Sequence, residues 1–275
     1  MKKLVILFLM FMGSAYAQGS YVLFDYDARM YAVRFDHNTI RSIASITKMF
    51  TANTILNSGV DLNEKIKING RSSGKVPPGA YMTRMDLMRA MIISSDNRAS
   101  ETLANHHPGG FSQFIKDTND YIDRNLLYDT RIVDSTGLLA GNVSTARDLV
   151  EFLHQIKDNP VIRQIANERN AVLAVPRGKK TISINLRNTN PDLFIYDNIL
   201  ISKTGFTSSA GRCVLMLVEK NNELFAVVVL GQKNVKNRSQ VVSGLLNIDI
   251  SRTPEPKITS TVEFESSVLH ETKPE

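Results

Sequence analysis

The sequence predicts a mixed α/β chain of the α+β kind: an antiparallel sheet flanked by helices, with an all-helical lobe inserted into it. Three observations carry that expectation. Apolar runs bounded by turn residues lie near both chain ends, at residues 21–34 and 199–230. Between them, apolar residues recur at helical spacing in several segments with start and stop signals. No internal repeat or low-complexity tract interrupts the pattern. The sheet is therefore expected to draw strands from both ends of the chain, with the helices between.

Residues 21–24 and 30–34 flank a polar turn and read as a hairpin. A helix is expected from Ser45, where Ile46, Met49, Phe50, Ala52 and Ile55 recur. It stops at Asn57-Ser58-Gly59, because glycine enters the left-handed exit conformation at low cost. Residues 61–67 allow a short strand, and 75–79 a loop. Thr83 and Asp86 approximate a capping box for a second helix that turns Leu87, Met88, Met91 and Ile92 inward. Ser94-Ser95-Asp96-Asn97 breaks it, since short polar side chains compete for backbone hydrogen bonds. A third helix carries Ala99 and Leu103, and a fourth, over 111–126, buries Phe114, Ile115 and Ile122.

Residues 129–142 are expected as a long irregular loop. Thr145 and Asp148 cap a helix with Leu149, Phe152, Leu153 and Ile156 inward, and residues 160–166 make a short one. Two short strands are expected over 171–184. Residues 199–205 lead into 212–218, whose hairpin partner 224–230 holds three consecutive valines and suits a strand covered on both faces. A last helix is expected over 237–246, and at most one strand, near 260–264, in the tail.

The chain ends and the composition bound the function. Lys2 and Lys3 precede nine apolar residues, 4–12, and Ala15-Tyr16-Ala17 supplies a small-x-small cleavage pattern. Residues 1–17 therefore read as a secretory signal peptide, 18–250 as one domain, and 251–275 as a short tail. Nine apolar residues are too few to span a bilayer, which takes about 20. The chain carries a formal charge of +6, and loss of Lys2 and Lys3 leaves four positives in excess. That balance is too weak and too scattered for nucleic acid. With Cys213 as the one cysteine no internal disulfide forms, and the 43% apolar content must supply the core.

Three short motifs carry chemistry. In Ser45-x-x-Lys48 the two residues share a helical face, so the lysine reaches back to the serine. A serine hydroxyl needs a base to become a nucleophile, and a lysine is a base only when burial or a second cation lowers its pKa. Ser95-Asp96-Asn97 sits in a turn between helices, where Ser95 can pass a proton and Asn97 can fix a lysine or a substrate carbonyl. Lys203-Thr204-Gly205 enters an apolar strand. Lys203 is the expected second cation, Thr204 offers a hydroxyl to a carboxylate, and Gly205 permits close backbone approach. The N–H groups of Ser45 and Thr207 would form the oxyanion hole.

This ordered triple is the signature of class A β-lactamases and penicillin-binding proteins. Around it the chain resembles the low-molecular-mass penicillin-binding proteins, the serine D-alanyl-D-alanine peptidases, with the periplasmic endopeptidase branch as the nearer match. The similar stretches include residues 41–48, 93–99, 106–110, 134–138, 142–149 and 202–213, spread over nearly the whole of 21–246. The resemblance implies a β-lactamase/transpeptidase-like fold. It implies acylation of Ser45 with Lys48 as base, Ser95 in proton transfer, and Asn97, Lys203, Thr204, Gly205 and Thr207 around the substrate. An arginine that holds the substrate's terminal carboxylate maps by spacing onto Arg238.

Peptidoglycan stem peptides and crosslinks are then the expected substrates and β-lactam antibiotics the expected covalent inhibitors. The enzyme would act in the periplasm, with no membrane anchor once the signal peptide is cleaved. D-alanyl-D-alanine endopeptidase action is the first expectation and carboxypeptidase trimming of stem pentapeptides the alternative. No glutamate lies between Glu101 and Glu151, which argues against β-lactamase turnover through a water-activating glutamate. A wall-binding module with a dead site is disfavoured because every residue the mechanism needs is present. No cofactor and no metal are expected, since His106 and His107 are adjacent and no acidic cluster joins them.

Overall fold

A five-stranded antiparallel sheet forms the spine of the chain, with strand order β2-β1-β11-β10-β9. The computed structural model describes residues 19–248 apart from 178 and 179, so the expected signal peptide, tail and tail strand lie outside it. β1 (Ser20–Asp25) and β2 (Met30–Phe35) come from the start of the chain. β9 (Ile199–Thr207), β10 (Gly211–Lys220) and β11 (Glu223–Gln232) come from its end. The two groups join where β1 lies antiparallel to β11, with Val22 opposite Val228. The expectation that both ends of the chain build one sheet is met.

The strands read as continuous apolar runs because both faces of the sheet are covered. Cys213, Leu215 and Leu217 of β10, with Ala226, Val228 and Leu230 of β11, face the larger core. Their neighbours Val214, Met216, Val218, Phe225, Val227 and Val229 face a second, smaller core. Each buried valine, leucine, methionine or phenylalanine among them contributes about 1.5–3 kcal/mol by leaving water.

The chain between β2 and β9 supplies most of the helices: α1 (Thr47–Asn57), α2 (Arg84–Ile93), α3 (Asn97–Asn105), α4 (Gly110–Arg124), α5 (Ala146–Ile156) and α6 (Pro160–Asn167). α7 (Val235–Leu246) follows β11 and covers the smaller core with Val241, Val242 and Leu245. Thr83 caps α2 and Thr145 caps α5 through the N–H groups of Asp86 and Asp148, as their spacing predicts.

α1 departs from the expected amphipathic pattern. Its residues 47–55 are all buried, so it is a central helix enclosed on every side. Two of its threonines find partners in the interior: the Thr51 hydroxyl donates to the Ser135 carbonyl, and Thr54 pairs with Thr118. Phe50 stacks on Phe152 of α5 at 3.7 Å between ring centroids.

Small elements escape the pattern. Residues before α1 form a 3-10 turn, Ala44–Ile46, rather than the first turn of the helix. β3 (Arg41–Ser42) pairs with β6 (Val143–Ser144), and β4 (Lys65–Lys67) with β5 (Tyr81–Thr83); β3, β5 and β6 are too short for a periodic signal. β7 (Asn170–Arg177) and β8 (Lys180–Arg187) form a separate hairpin of eight residues per strand, longer than expected. A 3-10 turn at Pro191–Phe194 precedes β9.

Removing the Phe50 ring should leave a cavity that α5 cannot refill. Phe50→Ala is expected to lower unfolding free energy by about 3–5 kcal/mol in urea titrations, and a loss under about 1 kcal/mol would count against this packing.

Candidate active site

The 3-10 turn before α1 presents Ser45 at the edge of the core, half-buried, while Lys48 one turn later is fully buried. Lys48 Nζ lies 2.9 Å from Ser45 Oγ, 2.8 Å from Asn97 Oδ1 and 2.6 Å from the Thr136 carbonyl. The first and second sequence motifs therefore meet at one amine.

Burial pulls the Lys48 pKa down to about 7, while the carboxylates of Asp134, Asp96 and Glu101 oppose the shift. Of the two expected causes, burial is the one that acts here. Desolvation, rather than repulsion from Lys203, accounts for the depression at Lys48. A neutral amine has two N–H groups and one lone pair. The Asn97 and Thr136 oxygens can take the two N–H groups, which leaves the lone pair for the Ser45 hydroxyl.

The third motif closes the other side. Lys203 is buried on β9, and its Nζ donates to Ser95 Oγ at 3.0 Å and to the Thr204 carbonyl at 2.8 Å. Its pKa falls well below the ordinary lysine range, first through burial and then through the charge of Lys48. Lys203 thus senses the charge of Lys48. Ser95 holds a left-handed backbone, φ +59°, which a non-glycine residue adopts at a cost of about 1–3 kcal/mol.

Asp96 turns away from Ser45. Its carboxylate caps α3 through the Ala99 N–H and accepts from the N–H groups of Lys75 and Val76. It braces the loop that ends in Ser95 and Asn97.

Gly205 earns its position by contact. A Cβ there would sit 2.9 Å from both the Ser45 nitrogen and the Ile43 carbonyl oxygen. Gly137 is tighter still: at φ +82° its Cβ would lie 1.9 Å from the Ala44 carbonyl oxygen. The peptide that delivers Ser45 is gripped between these two glycines, and Ala44 itself takes φ +47°.

Residues 134–142 are the part that sequence reasoning placed only as an irregular loop. Burial raises the Asp134 pKa, but bonds from the N–H groups of Leu139 and Gly137 and from Thr136 and Asn142 outweigh it and hold the group below the usual range. The resulting turn aims the Thr136 carbonyl at Lys48. Thr51 and Ser100 both donate to the Ser135 carbonyl next door, tying the turn to α1 and α3. Asp134-Ser-Thr-Gly has the composition of a side-chain-stabilised turn, and that was the available signal.

The remaining expected residues lie on β9 and α7. Thr204 Oγ1 meets Thr189 Oγ1 at 2.7 Å, and the Thr207 hydroxyl accepts from the Ala210 N–H in the β9–β10 turn. Arg238 sits on α7, buried, 3.6 Å from Asp192 and 3.4 Å from Asn190, which in turn donates to Ser202. It therefore meets the face of β9 that alternation gives to Ser202 and Thr204, opposite Lys203. Burial pulls Arg238 down and pushes Asp192 up, and their attraction opposes both shifts.

His106 Nδ1 lies 3.0 Å from the Thr102 carbonyl oxygen, and His107 packs against Phe114. Among the described residues no group of three His, Cys, Asp or Glu side chains could hold a metal ion. Burial pushes the Cys213 thiol up to about 11, which makes it a packing residue rather than a nucleophile.

Gly137→Ala should displace the Ala44–Ser45 peptide and cut the rate of Ser45 acylation by a fluorescent penicillin by at least about tenfold, since misplacing reacting groups by a fraction of an ångström costs on that order. Circular dichroism would check that the fold persists, and a folded variant acylated at the parent rate would rule out this contact as a positioning device.

Known proteins share both the sequence pattern and the fold. A family model described as D-alanyl-D-alanine carboxypeptidase, peptidase S11, matches residues 12–234. The D-alanyl-D-alanine endopeptidase of Escherichia coli (strain K12) is 34% identical over 222 residues, covering 78% of this chain and 71% of that protein. The D-alanyl-D-alanine endopeptidase of Pseudomonas aeruginosa is 32% identical over the same length, with the same two coverages. In fold, the crystal structure of the Streptomyces K15 DD-transpeptidase superposes with a TM-score of 0.79 at 20% identity, over 84% of this chain and 96% of that one. The chain belongs to the D-alanyl-D-alanine carboxypeptidase family, peptidase S11.

Proposed function

We propose that the protein is a serine D-alanyl-D-alanine endopeptidase that opens D-alanyl crosslinks in peptidoglycan through an acyl-enzyme on Ser45. The observation that carries this reading is the contact of 2.9 Å between Ser45 Oγ and a fully buried Lys48 amine. The relatives named as endopeptidases at 34% and 32% identity support it. The chain's opening residues, read as a signal peptide, support action in the periplasm.

The roles follow from the bonds. Neutral Lys48 takes the Ser45 proton as Oγ attacks the D-alanyl carbonyl carbon. The oxyanion is received by the Ser45 and Thr207 N–H groups. Ser95, held by Lys203, relays the proton from Lys48 to the leaving nitrogen, and the C–N bond breaks. Water then attacks the ester carbonyl and gives its proton to Lys48, the acyl C–O bond breaks, and Lys48 returns the proton to Ser45 Oγ as the D-alanyl carboxylate is released.

Asn97 keeps its carbonyl oxygen on Lys48, so its –NH2 end serves a substrate carbonyl. Gly205 lets the substrate backbone lie along β9. Thr204, with Arg238 behind it, holds a carboxylate of the leaving group. Penicillins would acylate the same serine.

Carboxypeptidase trimming of stem pentapeptides is the second reading. The matching family description is that of a carboxypeptidase, and both scissile bonds follow a D-alanyl carbonyl.

Digestion of purified crosslinked muropeptides, read by mass, should show dimers falling to monomers. Loss of terminal D-alanine alone, with dimers intact, would establish the carboxypeptidase instead, and no change in either would defeat both. The acylation rate should rise about tenfold per pH unit below about 7 and level off above it, because only neutral Lys48 accepts the proton. A stopped-flow pH profile that is flat between 5 and 8 would remove Lys48 from the general-base role.

A further inference from the structure

Thr189 touches the third motif, and the mechanism above gives it no part. It is the middle residue of Asn188-Thr189-Asn190, which follows β8 and precedes the 3-10 turn at Pro191–Phe194. The three alternate: Asn188 and Asn190 are buried, and Thr189 is exposed. The Asn188 side chain donates to the Glu168 carbonyl at 2.9 Å, and its N–H donates to the Arg169 carbonyl at 2.8 Å. The Asn190 side chain donates to Ser202 Oγ of β9 at 2.8 Å. Thr189 is thus held between two anchored neighbours.

Its own contacts run in two directions. The Thr189 N–H donates to the Ile93 carbonyl at 3.1 Å. Ile93 is the last residue of α2, two positions before Ser95. The Thr189 side chain meets β9, where its Oγ1 lies 2.7 Å from Thr204 Oγ1. β9 is an edge strand of the sheet. One residue therefore links the helix end that delivers Ser95 to the hydroxyl that the proposed mechanism assigns to the leaving group. Its branched Cβ keeps χ1 stiff, so the hydroxyl is held in place.

Each hydroxyl has one proton to give, so the direction of this bond decides what Thr204 can do. If Thr204 gave its proton to Thr189, a lone pair would face the carboxylate on the leaving amine. If Thr189 gives, the Thr204 proton points at the carboxylate, and the incoming bond polarises it. An anion in the site selects the second arrangement. We propose that Thr189 is a positioning residue of the carboxylate site: it donates to Thr204 Oγ1 and so turns the Thr204 proton toward the carboxylate on the leaving amine. This assignment rests on the peptidase reading above.

Two crosslinked peptides separate this role from a structural one. They are alike except that the carboxylate beside the scissile nitrogen is free in one and a carboxamide in the other. The readout is the ratio of kcat/KM for the pair, followed by mass, and a ratio does not change with the fraction of protein that is folded. The parent is expected to prefer the free carboxylate. Thr189→Val keeps the shape and removes the hydroxyl, and it should lower the ratio about fivefold, the scale on which a hydrogen bond to a charged acceptor exceeds one to a neutral acceptor. Thr189→Ser keeps the hydroxyl on a less stiff side chain and should hold the ratio within about twofold of the parent. Thr204→Val should lower the ratio at least as far as Thr189→Val. Adding Thr189→Val to it should lower the ratio no further, because Thr189 acts through Thr204.

Equal kcat/KM for both peptides in the parent, an unchanged ratio in Thr189→Val, a fall that Thr189→Ser does not repair, or a further fall in the double variant would each overturn the proposal. Cleavage in any of these cases leaves the peptidase reading standing. Cleavage of neither peptide overturns the proposal as well, and mass analysis after exposure to penicillin then separates the two failures. An adduct on Ser45 keeps the nucleophile, whereas no adduct defeats the peptidase reading too.

Discussion

Everything at the centre of this protein depends on one buried amine. Lys48 lies fully buried inside the core, and its hydrogen-bond partners among the described residues are the oxygens of Ser45, Asn97 and Thr136. An isolated ammonium in such a place is costly, so the group moves toward neutrality, and that makes it a base. The requirement spreads outward. Enclosing the lysine takes a helix buried along nine residues, and satisfying it takes two carbonyl oxygens from separate loops.

Those loops are themselves built structures. Asp96 and Asp134 each gather several N–H donors and so hold short turns in place without facing the hydroxyl of Ser45. Both also lend a distant negative charge that keeps Lys48 from falling further. One pair of aspartates therefore shapes the cleft and sets the point at which its base titrates. The left-handed backbones at Ala44 and Ser95 are the strained positions this construction supports.

Much of this was legible in the sequence, for physical reasons. Spacing of three residues places Ser45 and Lys48 within reach wherever the segment is helical, and the threonines before α2 and α5 announce their caps. The valine run of β11 announced burial on two sides. What could not be read depends on contacts between distant segments. The Thr136 ligand to Lys48 is a backbone carbonyl, which carries no residue signature. The need for glycine at 137 arises from a peptide 93 positions earlier in the chain. The pairing of Arg238 with Asp192, and the dominance of burial over repulsion at Lys48, likewise appear only once the core has assembled. Strands of two or three residues leave no period to detect.

The join between β1 and β11 has a kinetic consequence. Tyr21 finds Val229 across about two hundred intervening residues, so the spine of the molecule is among its least local contacts. Closing so wide a loop is slow, and until the last strands are synthesised the first hairpin shows water an unpaired, apolar edge. A nascent chain of this design stays open until its final third emerges. During that interval it is a natural client for whatever factors shield extended polypeptides.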